Sequence, residues 1–268
     1  MRDLAADAIR RPHVLGPEGE AALTELLARR PLLAFDFDGT LAPIVARPAD
    51  ARLSQAVAAR LAALAERLPV AVVSGRSLAD LRLRLGFVPT YLMGNHGAED
   101  ADDPEAAAAW RTALDPMRRH LAQRQALLAA AGVTVEDKGL SLALHHRLAP
   151  SQEAALAAIG TALRDGPPGI SVFGGKRVVN LSPAGAPDKA DALLALVARS
   201  GADCALFAGD DVNDEPVFER APPHWLTLRV GRDAASRARF YLDSPAEMAM
   251  LLERLRQRLG DGGSDPLL

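Results

Sequence analysis

One cysteine in 268 residues leaves no partner for an internal disulfide. That residue, Cys204, stands at the start of the apolar run Ala205 to Phe207 and reads as a buried thiol in a reducing compartment. No apolar run approaches the roughly 18 residues that mark a membrane span, and the N-terminus alternates charge with alanine instead of building an apolar signal core. A cytoplasmic protein away from the membrane is expected. Basic charge is not in excess either: 31 Lys and Arg face 34 Asp and Glu, for a net charge of −3. No global field draws in nucleic acid, so any phosphate must be held by local cations. Low-complexity segments and longer internal repeats are absent, apart from an alanine richness that favours helix. What remains is an ordinary globular composition, 49% hydrophobic and 24% charged, in a chain long enough for one large core or two domains.

Short apolar runs that end on a polar residue recur: Leu32 to Asp36, Val70 to Ser74, Tyr91 to Asn95 and Ala205 to Asp210, with Leu226 to Val230 as a further strand. Helical stretches separate several of them, such as Ser54 to Arg67, Leu78 to Leu85 and Lys189 to Arg199. This is the alternation of a parallel α/β sheet. The stretch Asp3 to Arg30 is expected to be helical, with no assignable role.

Between about 103 and 184 the pattern changes. Asp103-Pro104-Glu105 predicts a helix start and Asp115-Pro116 a kink or restart before Gly132. Two strands follow, Val133 to Glu136 and Leu140 to Arg147. The arrangement then repeats, with Ser151 capping a helix to about Arg164 and strands Ile170 to Phe173 and Lys176 to Leu181 joined by a turn at Gly174-Gly175. Two helix-plus-hairpin modules predict a small α+β domain, 103–184, inserted into a core made of 1–102 and 185–268. Strand alternation puts Leu140, Leu142 and Leu144 on a helix-covered face. His145, Lys176, Val178 and Asn180 fall on an open, polar one.

The chemistry gathers at strand ends. Asp36-Phe37-Asp38-Gly39-Thr40 sets two carboxylates two residues apart, on one face, where open α/β sheets place ligands. Carboxylates this close share a proton or bind a cation such as Mg²⁺. Gly209 to Glu215 brings a second acidic cluster whose spacing does not fit a calcium loop of the EF-hand kind. Ser74-Gly75-Arg76, before a helix, makes a cradle suited to an anion, and Lys189 opens a helix where one ammonium could cover the same phosphate.

Taken in order, Asp36-Phe37-Asp38-Gly39-Thr40, Ser74, Lys189 and Gly209-Asp210-Asp211-Val212-Asn213-Asp214 resemble the four motifs of the haloacid dehalogenase superfamily of phosphotransferases. The resemblance implies a Rossmann-like α/β core with an inserted α+β cap domain. It also implies Asp36 as nucleophile, Asp38 as general acid and base, and Ser74 and Lys189 on the phosphoryl group. Mg²⁺ would be held by Asp36, Asp38 through its carbonyl, and Asp210, with Asp211 and Asp214 beside them. A narrower resemblance, to trehalose-6-phosphate phosphatases, rests on Gly94-Asn95-His96-Gly97-Ala98-Glu99, Ser74-Gly75-Arg76, Lys138-Gly139, Ala143 to Arg147 and Gly175 to Val179. It implies that Gly75, Arg76, Asn95, His96, Gly97, Lys138, His145, Lys176 and Asn180 bind substrate. Three positions depart from the family pattern: Asn180 stands for a usual glutamate, Asn213 for threonine and Ala190 for glycine. The expectation is a Mg²⁺-dependent phosphatase acting on trehalose 6-phosphate, a small-molecule enzyme and a monomer. Association with a trehalose-phosphate synthase stays open. Alternatives are a phosphatase of sucrose 6-phosphate or mannosyl-3-phosphoglycerate, a phosphomutase, and a non-catalytic sugar-phosphate sensor or scaffold.

Overall fold

The structure, a computed structural model, describes residues 11–261. In chain order, α1 (Pro17–Leu27), β1 (Leu32–Phe35), α2 (Gln55–Ala65), β2 (Val70–Val73), α3 (Leu78–Arg82), β3 (Tyr91–Gly94) and β4 (Glu99–Asp100) come first. Next follow α4 (Ala108–Ala113), α5 (Asp115–Ala122), α6 (Gln125–Ala130), β5 (Thr134–Asp137), β6 (Leu142–His145), α7 (Gln152–Leu163), β7 (Ile170–Gly175) and β8 (Val178–Pro183). The chain closes with α8 (Lys189–Ser200), β9 (Ala205–Gly209), α9 (Glu215–Arg220), β10 (Leu226–Val230), β11 (Phe240–Leu242) and α10 (Met248–Asp261).

Seven strands form one sheet in the order β11-β10-β9-β1-β2-β3-β4, parallel except for the β3–β4 pair. Every residue of β1, β2, β9 and β10 is buried, as strands covered on both faces require. The chain winds outward from β1 through β2 and β3 on one side and later through β9 and β10 on the other. The strand order therefore reverses at β1 and β9, and a crevice opens at their carboxyl ends. Local signals set the helices: Ser54 caps α2 and Ser77 caps α3. Asp188 caps α8 in a reciprocal capping box with Asp191, which makes Lys189 the first residue of that helix.

A second sheet, antiparallel and ordered β5-β6-β8-β7, has its own hydrophobic cluster. Leu142, Leu144 and Leu181 pack there with Leu121, Leu128 and Ile159 from the helices, the face that strand alternation predicts.

Several local expectations need correction. The β7–β8 turn is at Lys176-Arg177, with Arg177 at φ 64°, while Gly174 and Gly175 are paired strand residues opposite Val179 and Val178. A tertiary contact sets this turn, because the Lys176 amide donates to Asp211 Oδ2 at 2.9 Å. The Asp103-Pro104-Glu105 segment is a turn, with the Ala106 amide donating to Asp103 Oδ1, and the helix starts at Ala108. Helix restarts at Asp115 as expected and breaks once more before Gln125. The strand expected from Leu140 begins at Leu142. Of the Asp3 to Arg30 stretch, residues 3–10 lie outside the described residues, and among the described ones Pro17–Leu27 is the α-helical part. His13 forms a parallel bridge with Tyr241.

Candidate active site

β1 ends on Asp36, whose amide donates to the Ala208 carbonyl at 2.9 Å and carries the β1–β9 ladder one step past the strand. Its carboxylate is buried beside Lys189, whose Nζ donates to Asp36 Oδ1 at 2.7 Å and to Asp214 Oδ1 at 2.6 Å. Asp214 Oδ2 accepts the amides of Asp210 and Asp211, each at 2.9 Å, so this carboxylate fixes both Lys189 and the turn after β9. Asp210 is buried as well. Its Oδ2 pairs with Lys176 Nζ from the second sheet, and its Oδ1 has no hydrogen-bond partner among the described residues. Gly39, at φ 83°, must be glycine, because a Cβ there would stand 1.9 Å from Asp210 Oδ2.

This centre is electrostatically under-compensated. Burial pushes the Asp36 carboxyl well above its ordinary range, Lys189 pulls it back, and Asp214 and Asp210 raise it further. Burial and the neighbouring Asp214 push Asp210 up to about 6. Burial works against the Lys189 ammonium, but Asp214 and Asp36 outweigh it and keep it charged. Three carboxylates, Asp36, Asp210 and Asp214, bring oxygens within 4.8 Å of one another. Hard oxygen donors, excess negative charge and an unpartnered buried oxygen are the donor set Mg²⁺ favours.

Asp38 lies on the same side of the crevice. Arg76 clasps it through both oxygens, Nε donating to Oδ2 at 2.6 Å and Nη2 to Oδ1 at 2.7 Å, and also donates to Asp80 and the Pro48 carbonyl. Ser74 is buried, and its Oγ accepts the Arg76 amide at 3.3 Å.

After β3 the backbone takes three consecutive left-handed residues, Asn95 (φ 48°), His96 (φ 61°) and Gly97 (φ 110°). This twist swings the His96 ring over Gly75, where a Cβ would lie 2.3 Å from His96 Cε1. The ring also meets Phe173 of β7 edge to face at 4.9 Å between centroids. Both ring nitrogens are buried, and neither has a hydrogen-bond partner among the described residues. Burial, helped by Lys138 and Lys189, holds the imidazole well below its ordinary pKa and outweighs the favourable influence of Asn180.

One cleft is lined by Asp36, Asp38, Ser74, Gly75, Arg76, His96, Lys138, His145, Lys176, Asn180, Lys189, Asp210 and Asp211. Asn95, Gly97 and Asp214 stand behind its wall for identifiable reasons. Asn95 is bonded to Glu99, Ser141 and the Lys138 carbonyl; Gly97 is pressed against the Asp188 carbonyl at the start of α8; Asp214 is fully hydrogen-bonded. The guanidinium of Arg76 is directed to Asp38 and Asp80. Asp211 directs its carboxylate to the Val212 and Lys176 amides and stays outside the three-carboxylate group.

The cleft also contains Arg147, which strand alternation puts on the open polar face with His145, and residues that sequence reasoning missed: Glu136 and the segment of Ile44, Val45 and Pro48. Glu136 meets His145 Nε2 at 2.7 Å, and Arg147 Nη1 donates to the Val45 carbonyl at 2.8 Å. Extending strand alternation to β5, where Glu136 pairs opposite Ala143, would have found Glu136. No motif marks the Ile44 to Pro48 segment.

The seven-stranded sheet with acids at the ends of β1 and β9, and an antiparallel α+β unit inserted between β4 and α8, is an α/β fold of the haloacid dehalogenase type. Solved structures agree on the fold. The C-terminal domain of C. albicans trehalose-6-phosphate phosphatase superposes with a TM-score of 0.77 at 22% identity, covering 92% of this chain and 98% of that one. A truncated, IMP-bound Plasmodium falciparum IMP-nucleotidase superposes at 0.55 with 16% identity, covering 90% and 73%. The trehalose-phosphatase family model matches residues 34–244, and the chain belongs to that family. The trehalose-phosphate phosphatase of Mycobacterium tuberculosis is 35% identical over 250 residues, 87% of this chain and 63% of the relative. That of Mycolicibacterium paratuberculosis is 34% identical over 269 residues, 92% and 68%. The chain thus spans about 63% of the length of the first of these two relatives.

Proposed function

We propose that the chain is a Mg²⁺-dependent phosphatase that hydrolyses trehalose 6-phosphate to trehalose and phosphate, with 1–102 and 185–268 as catalytic core and 103–184 as cap. The observation that carries the reading is a buried Asp36 held by Lys189 in the same cleft as Asp38, Ser74 and the polar face of the second sheet. Family membership and the named relatives support the substrate.

In this reading an Asp36 oxygen attacks phosphorus in line, the bond from phosphorus to the sugar oxygen breaks, and an aspartyl phosphate forms. Asp38 gives its proton to the departing alkoxide. Water then attacks phosphorus, Asp38 takes back a proton, and phosphate leaves Asp36 free. Arg76 holds both Asp38 oxygens, so passing a proton to the alkoxide requires one of those two bonds to be given up. Lys189 and the Ser74 hydroxyl neutralise phosphoryl oxygens. Asp36, the Asp38 carbonyl and Asp210 would hold Mg²⁺, with Asp214 and Asp211 fixing the turn that presents Asp210. When bound, the ion supplies positive charge against the phosphoryl oxygens. His145, Lys176 and Asn180 face the sugar from the cap, which keeps bulk solvent away from the bound sugar while a single water is admitted for the second half.

Phosphate release is measured with and without Mg²⁺ on trehalose 6-phosphate, sucrose 6-phosphate and mannosyl-3-phosphoglycerate. Metal-dependent release with a clear preference for trehalose 6-phosphate is expected. Equal rates across the panel would remove the substrate assignment, and no release from any member would remove the enzymatic one.

A further inference from the structure

Arg76, Asp80 and Arg84 follow one another at four-residue intervals, the spacing that brings side chains together along a helical turn. Ser77 Oγ accepts the Asp80 amide at 3.3 Å and so fixes where α3 starts. Asp80 then takes both arginines: Arg76 Nη1 donates to its Oδ2 at 2.6 Å, Arg84 Nε to the same oxygen at 2.7 Å, and Arg84 Nη2 to Oδ1. Arg84 is also committed elsewhere, through Nη1 to the Ala49 and Ala51 carbonyls. Burial works against the Asp80 anion, but the bonds from Arg84 and Arg76 outweigh it and hold its carboxyl below the ordinary range.

The Arg76 guanidinium is held at its edges and its face. Nε and Nη2 hold the two Asp38 oxygens, Nη2 also donates to the Pro48 carbonyl at 2.9 Å, and Nη1 has Asp80. Its central carbon lies 5.3 Å from the centre of the buried Phe37 ring. A guanidinium is planar and rigid, so a carboxylate on one edge fixes the direction of the N–H groups on the other. Asp38 must release one of its two bonds when it passes a proton to the alkoxide, and the Asp80 bond holds Arg76 in place through that release. Without the Asp80 anion the guanidinium would keep only Asp38 and a neutral carbonyl as acceptors, and would follow Asp38 as it moves. Among the described residues the cleft lining does not include Asp80, which therefore acts at one remove from the substrate.

We propose that Asp80 is a positioning residue of the reaction: it anchors Arg76, so that Asp38 can leave one guanidinium bond, transfer its proton and return to the same place. The proposal rests on the reading above that Asp38 is the general acid and base. It gives a carboxylate that does not touch the sugar phosphate a role in turnover. It also separates the two arginines bound to Asp80, with Arg76 acting on Asp38 and Arg84 on the segment that ends at Ala51.

The test is steady-state kinetics on trehalose 6-phosphate at saturating Mg²⁺ for the unaltered chain, D80N, R76M, D80N/R76M and R84M, each checked for folding by its denaturant midpoint. D80S replaces D80N if asparagine impairs folding. Action through Arg76 predicts that D80N lowers kcat about 20-fold with KM changed by less than about 3-fold, that R76M lowers kcat about 50-fold, and that the double variant stays within about 2-fold of R76M. R84M removes the other partner of Asp80 and is expected to lower the denaturant midpoint while kcat stays within about 3-fold. Losses that multiply, about 1,000-fold in the double variant, would show Asp80 acting independently of Arg76 and overturn the proposal. So would an unchanged kcat in D80N, a loss confined to KM, or a kcat loss in R84M equal to that in D80N, which would leave Asp80 with no role beyond holding α3. If D38N turns over like the unaltered chain, the acid and base reading of Asp38 fails first, a result distinct from all of these.

Discussion

On the seven-stranded side of the cleft Lys189 leaves 2% of its side chain exposed, Asp36 7% and Asp214 none; across from them Lys176 leaves 41%, His145 29% and Glu136 49%. The first group is a closed circuit, in which one ammonium serves two carboxylates and the second carboxylate holds two backbone amides. The second group touches the core at separate points: Lys176 at Asp210 and Asp211, Arg147 at Val45, and Lys138 at Gly75. Burial makes the core charges mutually dependent, so removing one strands the others. Partial exposure lets Lys176, His145 and Glu136 be replaced by water at small loss. A rigid reacting centre and a face that can open are what the proposed hydrolysis of a sugar phosphate requires of two such units.

The most severe way to break this contrast is Lys189→Met. It leaves Asp36 and Asp214 buried without a cation, and about 3 to 5 kcal/mol of unfolding free energy is expected to be lost in denaturant titrations, with kcat falling at least about 1,000-fold. Lys176→Ala removes a half-exposed group. Stability is expected to stay within about 1 kcal/mol while KM for the sugar phosphate rises about 10-fold, a split that steady-state kinetics reads directly. Equal losses in both variants would erase the distinction between the two sides.

The smallest effect concerns His96. Its folded pKa lies well below the ordinary 6.5, so below that pH the unfolded chain takes up a proton that the folded chain refuses. The unfolded state then binds more protons, and stability contributed by the neutral ring falls as pH drops through 6.5 toward the folded pKa. Between pH 7 and pH 5.5 the unaltered chain should lose about 1 kcal/mol more than His96→Gln, followed by chemical denaturation at each pH. Parallel curves would place the His96 ring in contact with water.

Much of the reacting centre was legible because each part is a local signal. Asp36, Ser74 and Asp210 are the polar ends of buried apolar runs, and Lys189 follows an N-cap aspartate. Period-two alternation located His145 and Asn180 without any tertiary information, since it depends only on the pleat, whereas Lys176 reaches the cleft from the β7–β8 turn. What stayed hidden was decided between distant segments. Gly174-Gly175 carries a turn signal, but Gly175 is needed where a Cβ would lie 3.0 Å from Asp211 Oδ2, and the turn moved on to Lys176-Arg177. Arg76 could have faced an anion and instead clasps Asp38, a partner 38 positions away. The left-handed run at Asn95 and His96 belongs to residues with no obligate preference for it, and only the packing of His96 between Gly75 and Phe173 accounts for it.

The central claim is a phosphorylated Asp36, and acid quenching the Mg²⁺-loaded protein within its first turnover of phosphate-labelled trehalose 6-phosphate, followed by peptide mapping, addresses it most directly. Label on the peptide that contains Asp36, discharged by hydroxylamine and absent from Asp36→Asn, is the predicted result. Full phosphate release with no label on that peptide, or undiminished turnover by Asp36→Asn, would contradict it.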